Sequence, residues 1–466
     1  MNKVKLLFTT IGAPLLIWVF PVFFLYAKNV KEMQLSEIMK PCFVFIICCV
    51  ILLLLGRLFF KSWEVAGLFS LVNGLFLVNF SLILSTTQKV VPFVRYWHLL
   101  FLVLVFSYLL CRIFCDKKSL VNDILLIAAI VFGALIIFNF ITAVPTIITK
   151  VNVSLQSRND IEAKEHEVIA GKRNIYYLLC DEYASFAQLE KDFGYDNSDF
   201  KSKLQNLGFN ISENSYNDVS ATAVVMANIM QLDYIATYES TSVELQELTQ
   251  NGLVYEILAE NGYRLRGIGK TEWLGIEGTV EVGKGATTAD GTDALQIALN
   301  QSFLGALIKQ NYLENASKIV NSFEKLNNLD IVPNESTFTL FYVAAPHHPY
   351  YLKADGSMNS TEKWANDDSG KNNDAYIGMV EYVNRNIYTA VERIIENDPS
   401  SIIILCSDHG CRFGTVSEDM KRRILNTIYY CGDVIDEFDG MSGVNTLRYV
   451  FNREFGLELP YIDLPE

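Results

Sequence analysis

Two of the stretches that could do chemistry place carboxylates or imidazoles directly after a buried strand. Ser407-Asp408-His409-Gly410 follows the β-branched apolar run at 401–406. Polar groups at the end of a buried strand are costly unless something holds them, and a divalent metal ion is one such partner. Taken alone, this stretch is better explained as an ordinary polar turn, and the rest of the chain must decide. Asp181 and Glu182 repeat the pattern after the apolar run at 174–180.

Two adjacent histidines mark a third strand end. The chain has only five histidines, and His347 and His348 lie together between two prolines after the apolar run at 337–344. In open α/β sheets the working residues gather at the carboxyl ends of the strands. The three strand ends therefore predict one shared site.

Thr222 is the candidate nucleophile. It stands just before the apolar helical pattern at 223–230, and Ser220 is predicted to cap that helix. Free backbone N–H groups and the helix dipole favour an anion in a first turn. A hydroxyl there suits a deprotonated nucleophile or a phosphate contact. The alternative is an ordinary capping threonine.

The elements that must position these residues alternate between strands and helices after residue 174. That alternation predicts a doubly wound α/β/α sandwich with a mainly parallel sheet. The predicted catalytic domain covers residues 174–466, and a polar juxtamembrane linker at 150–173 precedes it.

The first 149 residues are mostly apolar and predict a five-span transmembrane domain. The spans fall at about 7–27, 39–60, 66–86, 93–114 and 124–148, each near the roughly 20 residues that a bilayer needs. If the N-terminus lies in the cytoplasm, the cytoplasmic segments carry modestly more Lys and Arg than the outer loops. This distribution favours an N-terminus inside. An odd number of spans then places the C-terminal domain outside.

Charge and composition exclude several function classes. The net charge is −14, and the acidic excess lies after the predicted spans. Nucleic acid is an unsuitable partner for so acidic a domain, because phosphate backbones need a basic surface. No predicted span carries a central ionisable residue, which argues against an ion path. The sequence contains no Cys-x-x-Cys pair, the spacing that is typical of cysteine-ligated zinc sites.

The motifs resemble those of the alkaline phosphatase-like sulfatases and phosphotransferases. The closer resemblance is to the membrane-anchored branch of lipoteichoic acid synthases and phosphoglycerol transferases. The stretches that carry it are 174–183, Ser220-Ala221-Thr222-Ala223, Pro346-His347-His348-Pro349, Ser407-Asp408-His409-Gly410 and 444–457. The resemblance covers essentially the whole chain.

The resemblance implies roles for individual residues. The implied metal ligands are Asp181, Thr222, Asp408 and His409, with Glu182 as an extra ligand, and the implied substrate-binding residues are His347 and His348. Thr222 is also the implied nucleophile. The implied cofactor is one divalent metal ion, with Mn²⁺ favoured and Zn²⁺ or Mg²⁺ as alternatives.

The activity implied is transfer of a phosphoglycerol-type headgroup from a membrane phospholipid to a cell-envelope glycan or polymer. The protein is then a multi-pass plasma-membrane protein with an extracellular or periplasmic catalytic domain. The alternatives are a phosphodiesterase or other sulfatase-like hydrolase, a phosphoethanolamine transferase, or a non-catalytic receptor or scaffold.

Departures from the family patterns narrow these expectations. No Cys or Ser followed by x-Pro-x-Arg comes after the first strand, which argues against sulfate-ester hydrolysis. Lipoteichoic acid synthases usually carry Glu at the first metal position, where this chain has Asp181 followed by Glu182. The sequence alone leaves open which of the two carboxylates is the main ligand.

Overall fold

The computed structural model describes residues 8–30, 35–153, 172–276, 294–306, 312–360, 370, 372–414 and 416–465. The chain forms two compact units. One comprises Met1–Ser157 and Gly285–Gln310, and the other comprises Arg158–Lys284 and Asn311–Glu466. Most of the predicted linker at 150–173 lies outside the described residues.

The first unit is helical. Its main helices are Ala13–Lys28, Met39–Phe60, Trp63–Leu77, Phe80–Val90, Tyr96–Phe114, Lys118–Val153 and Ala294–Gln301, with short turns of helix at Phe8–Gly12, Leu35–Ile38 and Phe303–Ala306. Four helical stretches among the described residues are long and apolar enough to cross a membrane. A bent pair of helices makes a fifth span if it is counted as one. The chain is thus a membrane protein.

The bent pair replaces the continuous third span predicted at 66–86. Trp63–Leu77 and Phe80–Val90 meet at an angle of 63°. The side chain of Asn79 donates to the carbonyl of Leu75 at this break.

Small residues bring the helices of the first unit together around Trp63–Leu77. A Cβ added at Gly67 would lie 2.7 Å from the carbonyl oxygen of Thr10, and one at Gly56 would lie 3.0 Å from the Cα of Ala66. Such close backbone approach is typical of packed membrane helices. Apolar side chains on Met39–Phe60 and Tyr96–Phe114 point outward instead, as expected of surfaces that face lipid.

The second unit contains a six-stranded sheet. Its strands are β1 (Ile175–Cys180), β2 (Asn210–Ser212), β3 (Arg264–Gly269), β4 (Thr337–Val343), β5 (Ile402–Cys406) and β6 (Asn426–Tyr430). The order across the sheet is β2-β6-β5-β1-β4-β3. β1 pairs in parallel with β4 and β5, and β3 pairs in parallel with β4. β6 runs antiparallel to β5, and β2 to β6. The predicted mainly parallel sheet is confirmed.

Helices cover both faces of this sheet. They are Phe186–Phe193, Ser198–Asn206, Thr222–Gln231, Ser242–Gln250, Leu253–Glu260, Tyr312–Asn327, Asn373–Asn397, Glu418–Arg422 and Gly443–Phe455. Tyr176 and Leu178 of β1 pack in one apolar core, with Asn373–Asn397. Tyr177 and Leu179 pack in the opposite core. Alternate residues of one strand serve two cores, so the unit is an α/β/α sandwich.

The carboxyl ends of three neighbouring strands meet at one edge of the sheet. Cys180 of β1 is in register with Val343 of β4, and Leu179 is in register with Cys406 of β5. The residues that follow these strands therefore emerge side by side. This register, rather than sequence proximity, assembles the site.

Candidate metal and nucleophile site

Asp181, Asp408 and His409 form a buried group at this edge. One ligand atom from each lies within 4.8 Å of the others. Asp181 is held by its backbone N–H, which donates to the carbonyl of Val343 at 3.1 Å. Nε2 of His409 lies 3.2 Å from Oδ2 of Asp408. Two carboxylates and one imidazole are a donor set that divalent metals accept.

Unsatisfied carboxylate oxygens in this group indicate what it can hold. Oδ1 of Asp181 and Oδ2 of Asp408 are buried and have no hydrogen-bond partner among the described residues. Leaving such atoms unpaired is costly, and most buried polar atoms in proteins are satisfied. A cation between the two carboxylates removes that cost, so the residues present fit a divalent metal ion.

The two carboxylates also repel each other without a cation. Burial, and next the Asp408 carboxylate, raise the pKa of Asp181 from 3.8 to about 6. A hydrogen bond from the hydroxyl of Tyr342 to Oδ2 of Asp181 opposes this rise. The site is therefore electrostatically strained in the absence of positive charge.

The loop after β5 is held tightly around His409. Nδ1 of His409 lies 2.8 Å from the carbonyl oxygen of Gly410. A Cβ at Gly410 would lie 2.7 Å from the carbonyl oxygen of Met420 and 2.8 Å from that of Arg423. No side chain fits there without backbone movement. The glycine therefore permits the close packing that orients the imidazole.

Thr222 reaches the same group from a helix. It is the first residue of Thr222–Gln231, and its Oγ1 lies 3.3 Å from Nε2 of His409. Its predicted position in a first turn is confirmed. The predicted cap is wrong, because Ala221 occupies the N-cap position and makes no side-chain cap. Ser220 instead contacts the hydroxyl of Tyr238, through its backbone N–H at 3.1 Å.

Glu182 belongs to a second group, with His347 and His348. Its Oε2 lies 3.6 Å from Nε2 of His347 and 3.9 Å from Nδ1 of His348. The two imidazole rings are stacked with centroids 4.4 Å apart. The structure thus places the consecutive carboxylates of Asp181 and Glu182 in different groups.

The backbone at Glu182 explains this separation. Its φ is +62°, in the left-handed region that non-glycine residues rarely adopt. The backbone N–H of Glu182 donates to Oδ1 of Asp408 at 3.0 Å, while its side chain points to the histidines. Burial alone would raise the pKa of Glu182, but His347 and other neighbouring donors hold it at about 2. Its carboxylate is therefore ionised. Oε1 accepts a hydrogen bond from the loop after β5, whereas the buried Oε2 faces the two imidazoles without a hydrogen bond among the described residues.

Arg412 also lies in this site, although none of the sequence motifs predicted it. Its backbone N–H donates to Oε1 of Glu182 at 2.9 Å, and its guanidinium lies 3.0 Å from Nε2 of His347. It also donates to the carbonyl of Ser220 at 3.3 Å. The available signal was its place three residues after His409, on the same loop. A guanidinium here can bind a phosphoryl oxygen.

Asn217 and Tyr342 are two further residues that hold the site. The side chain of Asn217 donates to the backbone carbonyl of Asp408 at 2.7 Å and accepts from Gly443 at 3.0 Å. Tyr342, the penultimate residue of β4, donates to Asp181. Nothing in the sequence distinguishes this tyrosine from the other aromatic residues of the strand.

Comparison with known proteins gave structural similarities only. No family model matches the chain, and no curated protein matches it. Among the solved structures, the chain is similar to the integral membrane lipooligosaccharide phosphoethanolamine transferase A (EptA) from Neisseria meningitidis. The two are 12% identical with a TM-score of 0.39, and the match covers 92% of this chain and 88% of that chain.

Two further solved structures match slightly less than two thirds of the chain. The C-terminal periplasmic domain of EcEptC from Escherichia coli is 12% identical with a TM-score of 0.39, covering 63% of this chain and 84% of that chain. A protein in the alkaline phosphatase superfamily from Vibrio parahaemolyticus is 15% identical with a TM-score of 0.39, covering 64% and 72%.

Proposed function

We propose that this chain is a membrane-anchored, metal-dependent phosphotransferase. It moves a substituted phosphate group from a membrane phospholipid to a hydroxyl group of a cell-envelope glycan or polymer. The transfer proceeds through a covalent phosphothreonine on Thr222. The observation that carries the proposal is the meeting of a threonine hydroxyl at a helix N-terminus with two unsatisfied carboxylates and an imidazole.

The residues of the chain have distinct parts in the proposed reaction. Oγ1 of Thr222 gives up its proton and attacks phosphorus, the bond from phosphorus to the lipid glycerol oxygen breaks, and that oxygen takes up a proton as diacylglycerol leaves. Arg412 and His347 bind the non-bridging phosphoryl oxygens, and the helix N-terminus at Thr222 adds backbone donors. An acceptor hydroxyl then gives up its proton and attacks phosphorus, the bond from phosphorus to Oγ1 breaks, and Oγ1 takes up a proton, which restores Thr222.

Asp181, Asp408 and His409 would hold the metal ion, with Thr222 as a fourth ligand. A divalent ion bound there would lower the pKa of the threonine hydroxyl and would offset phosphoryl charge. Mn²⁺ remains our first choice, with Zn²⁺ and Mg²⁺ as alternatives, because oxygen ligands predominate over a single imidazole.

Membrane anchoring suits a donor whose headgroup lies at the bilayer surface. With the bent helix pair counted as one span, five spans from an inside N-terminus place the catalytic unit outside the plasma membrane. Acceptor hydroxyls of the cell envelope lie on that side.

Two phospholipids are the candidate donors, in order of preference. The motif resemblance favours phosphoglycerol from phosphatidylglycerol. EptA is a phosphoethanolamine transferase by name, which makes phosphatidylethanolamine the second donor to compare. Both headgroups present the same phosphodiester to Thr222.

The test uses membranes that contain the full chain, incubated with headgroup-labelled phosphatidylglycerol or phosphatidylethanolamine and an envelope glycan fraction. The expected result is label on the glycan and on a peptide containing Thr222, with neither in a Thr222→Ala variant. Label recovered only as free glycerol phosphate or phosphoethanolamine would establish a hydrolase. Equal turnover by the wild type and the variant would overturn the enzymatic proposal.

A further inference from the structure

The segment 294–306 is an uncharged apolar stretch inserted into the chain of the acidic second unit. In sequence it lies between β3 and the helix Tyr312–Asn327, and it reads Ala-Leu-Gln-Ile-Ala-Leu-Asn-Gln-Ser-Phe-Leu-Gly-Ala. Thirteen residues without a charge are too few to span a bilayer as a helix, which needs about 20. Stretches of this length are instead interfacial, re-entrant or buried.

The structure places this segment in the first unit, among the apolar helices. It forms the helix Ala294–Gln301 and the turn Phe303–Ala306. Ala298 and Leu299 are buried in the same apolar core as the spanning helices. The ring of Phe303 meets that of Trp18 edge-on, with centroids 6.4 Å apart.

Hydrogen bonds fix the segment as well as apolar contacts. The hydroxyl of Ser81 donates to the carbonyl of Asn300 at 2.5 Å. The hydroxyl of Tyr96 donates to the carbonyl of Phe303. Ser81 lies in Phe80–Val90, the second half of the bent pair, and Tyr96 opens the next helix. Two polar side chains, one on the helix after the break and one at the start of the next helix, thus bond the backbone of the segment.

We infer that residues 294–306 are a second membrane tether of the catalytic unit, in addition to the chain connection through residues 154–171. The partner of the tether is the apolar core and the bent helix pair of the transmembrane unit. A chain held at two separated points has less freedom than one held by a single linker, so the tether restricts the positions that the catalytic unit can sample. This inference does not depend on the proposed chemistry.

The experiment separates the two attachments. A recognition sequence for a site-specific protease is inserted between residues 154 and 171 of the full chain in membranes. After cleavage and a high-salt wash, the catalytic unit of the otherwise wild-type protein is expected to stay with the membrane. Salt removes charge-based attachment but not apolar burial.

Leu299→Asp is the disrupting variant and Gln301→Asp is the matched control. Leu299 is buried whereas Gln301 is exposed on the same helix. We expect cleavage to release a fraction of the catalytic unit from the membrane that is at least about tenfold larger for Leu299→Asp than for Gln301→Asp. The reason is that a carboxylate buried in the apolar core is strongly disfavoured.

Folding is checked independently of attachment. The released unit should show the same cooperative thermal transition as the unit cleaved from Gln301→Asp and extracted with detergent. Release of the wild-type unit to the same extent as the Leu299→Asp unit would overturn the tether. The tether would also be overturned if a folded catalytic unit carrying Leu299→Asp stayed with the membrane after cleavage.

Discussion

Oγ1 of Thr222 lies 3.3 Å from Nε2 of His409, although 187 residues separate them in the chain. One residue begins a helix and the other follows β5. The parallel register of β1, β4 and β5 brings the polar strand ends, including His409, to one edge of the sheet. The helix Thr222–Gln231 packs in the apolar core on one face of the same sheet and carries Thr222 to that edge.

Removing the Thr222 hydroxyl should abolish transfer while leaving the fold intact. We expect Thr222→Ala to lower turnover of labelled phospholipid by at least about 10³-fold, because the nucleophile is lost. Thr222→Ser keeps a hydroxyl and should lose only about tenfold. Metal binding, followed by calorimetry, should persist in the alanine variant through Asp181, Asp408 and His409. Turnover by the alanine variant above that of the serine variant would contradict the assignment.

The consecutive carboxylates should respond differently to neutralisation. Asp181→Asn should weaken Mn²⁺ binding by well over about tenfold, because a direct ligand is lost. Glu182→Gln should change Mn²⁺ affinity by less than about threefold but destabilise the fold by about 3 kcal/mol, since Arg412 loses its buried partner. Calorimetric titration and thermal melting measure the two effects. If Glu182→Gln weakened Mn²⁺ binding more than Asp181→Asn did, Glu182 would be the main carboxylate ligand.

The raised pKa of Asp181 predicts opposite pH responses of the metal-free and metal-bound proteins. Its folded-state carboxyl keeps a proton up to about pH 6, whereas the unfolded one loses it near 3.8. The metal-free protein should therefore lose stability as pH rises through this window. Mn²⁺ affinity should rise over the same window, because the metal displaces the proton.

Melting curves with and without Mn²⁺ across that pH range test this response. Asp181→Asn should weaken both the pH dependence of metal-free stability and the pH dependence of Mn²⁺ affinity, because the amide side chain does not titrate. An Mn²⁺-induced rise in melting temperature that is the same below and above pH 6 would exclude this group as the cause.

Gly410→Ala should damage the site through its backbone. The added Cβ would lie 2.7 Å from the carbonyl oxygen of Met420. We expect a loss of about 1–3 kcal/mol in stability from this crowding, together with weaker metal binding as His409 moves. Gly378→Ala is the matched control, because its Cβ would meet nothing closer than 3.5 Å within the helix Asn373–Asn397. A thermal shift equal to that of the control would refute the packing argument.

Arg412→Lys should separate substrate binding from metal binding. Lysine keeps a positive charge but cannot reproduce a planar guanidinium that reaches both His347 and the carbonyl of Ser220. We expect KM for the phospholipid to rise by about tenfold, with Mn²⁺ affinity nearly unchanged. An unchanged KM together with a weakened metal site would assign Arg412 to the metal group instead.

The sequence predicted the parts of the site that follow from regular structure. Apolar runs that end in Asp181, His347 and Asp408 identify buried strands, and parallel pairing then places their ends together. The first-turn position of Thr222 followed from the helical period after it. These inferences use only local patterns and one general rule about sheets.

Other features depend on contacts that no local pattern reports. Ser220 does not cap its helix, because Ala221 occupies the N-cap position. The short strand β2 and the antiparallel β6 lie at one side of the sheet, and no local pattern in the sequence reports the direction in which they pair. The division of Asp181 from Glu182 depends on a single backbone angle. The break near Asn79 interrupts an apolar run that composition alone reads as continuous.

That backbone angle at Glu182 gives two consecutive carboxylates different neighbours. Asp181 lies with Asp408 and His409, whereas Glu182 lies with His347 and His348. The two groups still act on each other, because the charge of His347 lowers the pKa of Asp181. Loss of that imidazole would therefore raise the pKa of Asp181 further, although the two side chains belong to different groups.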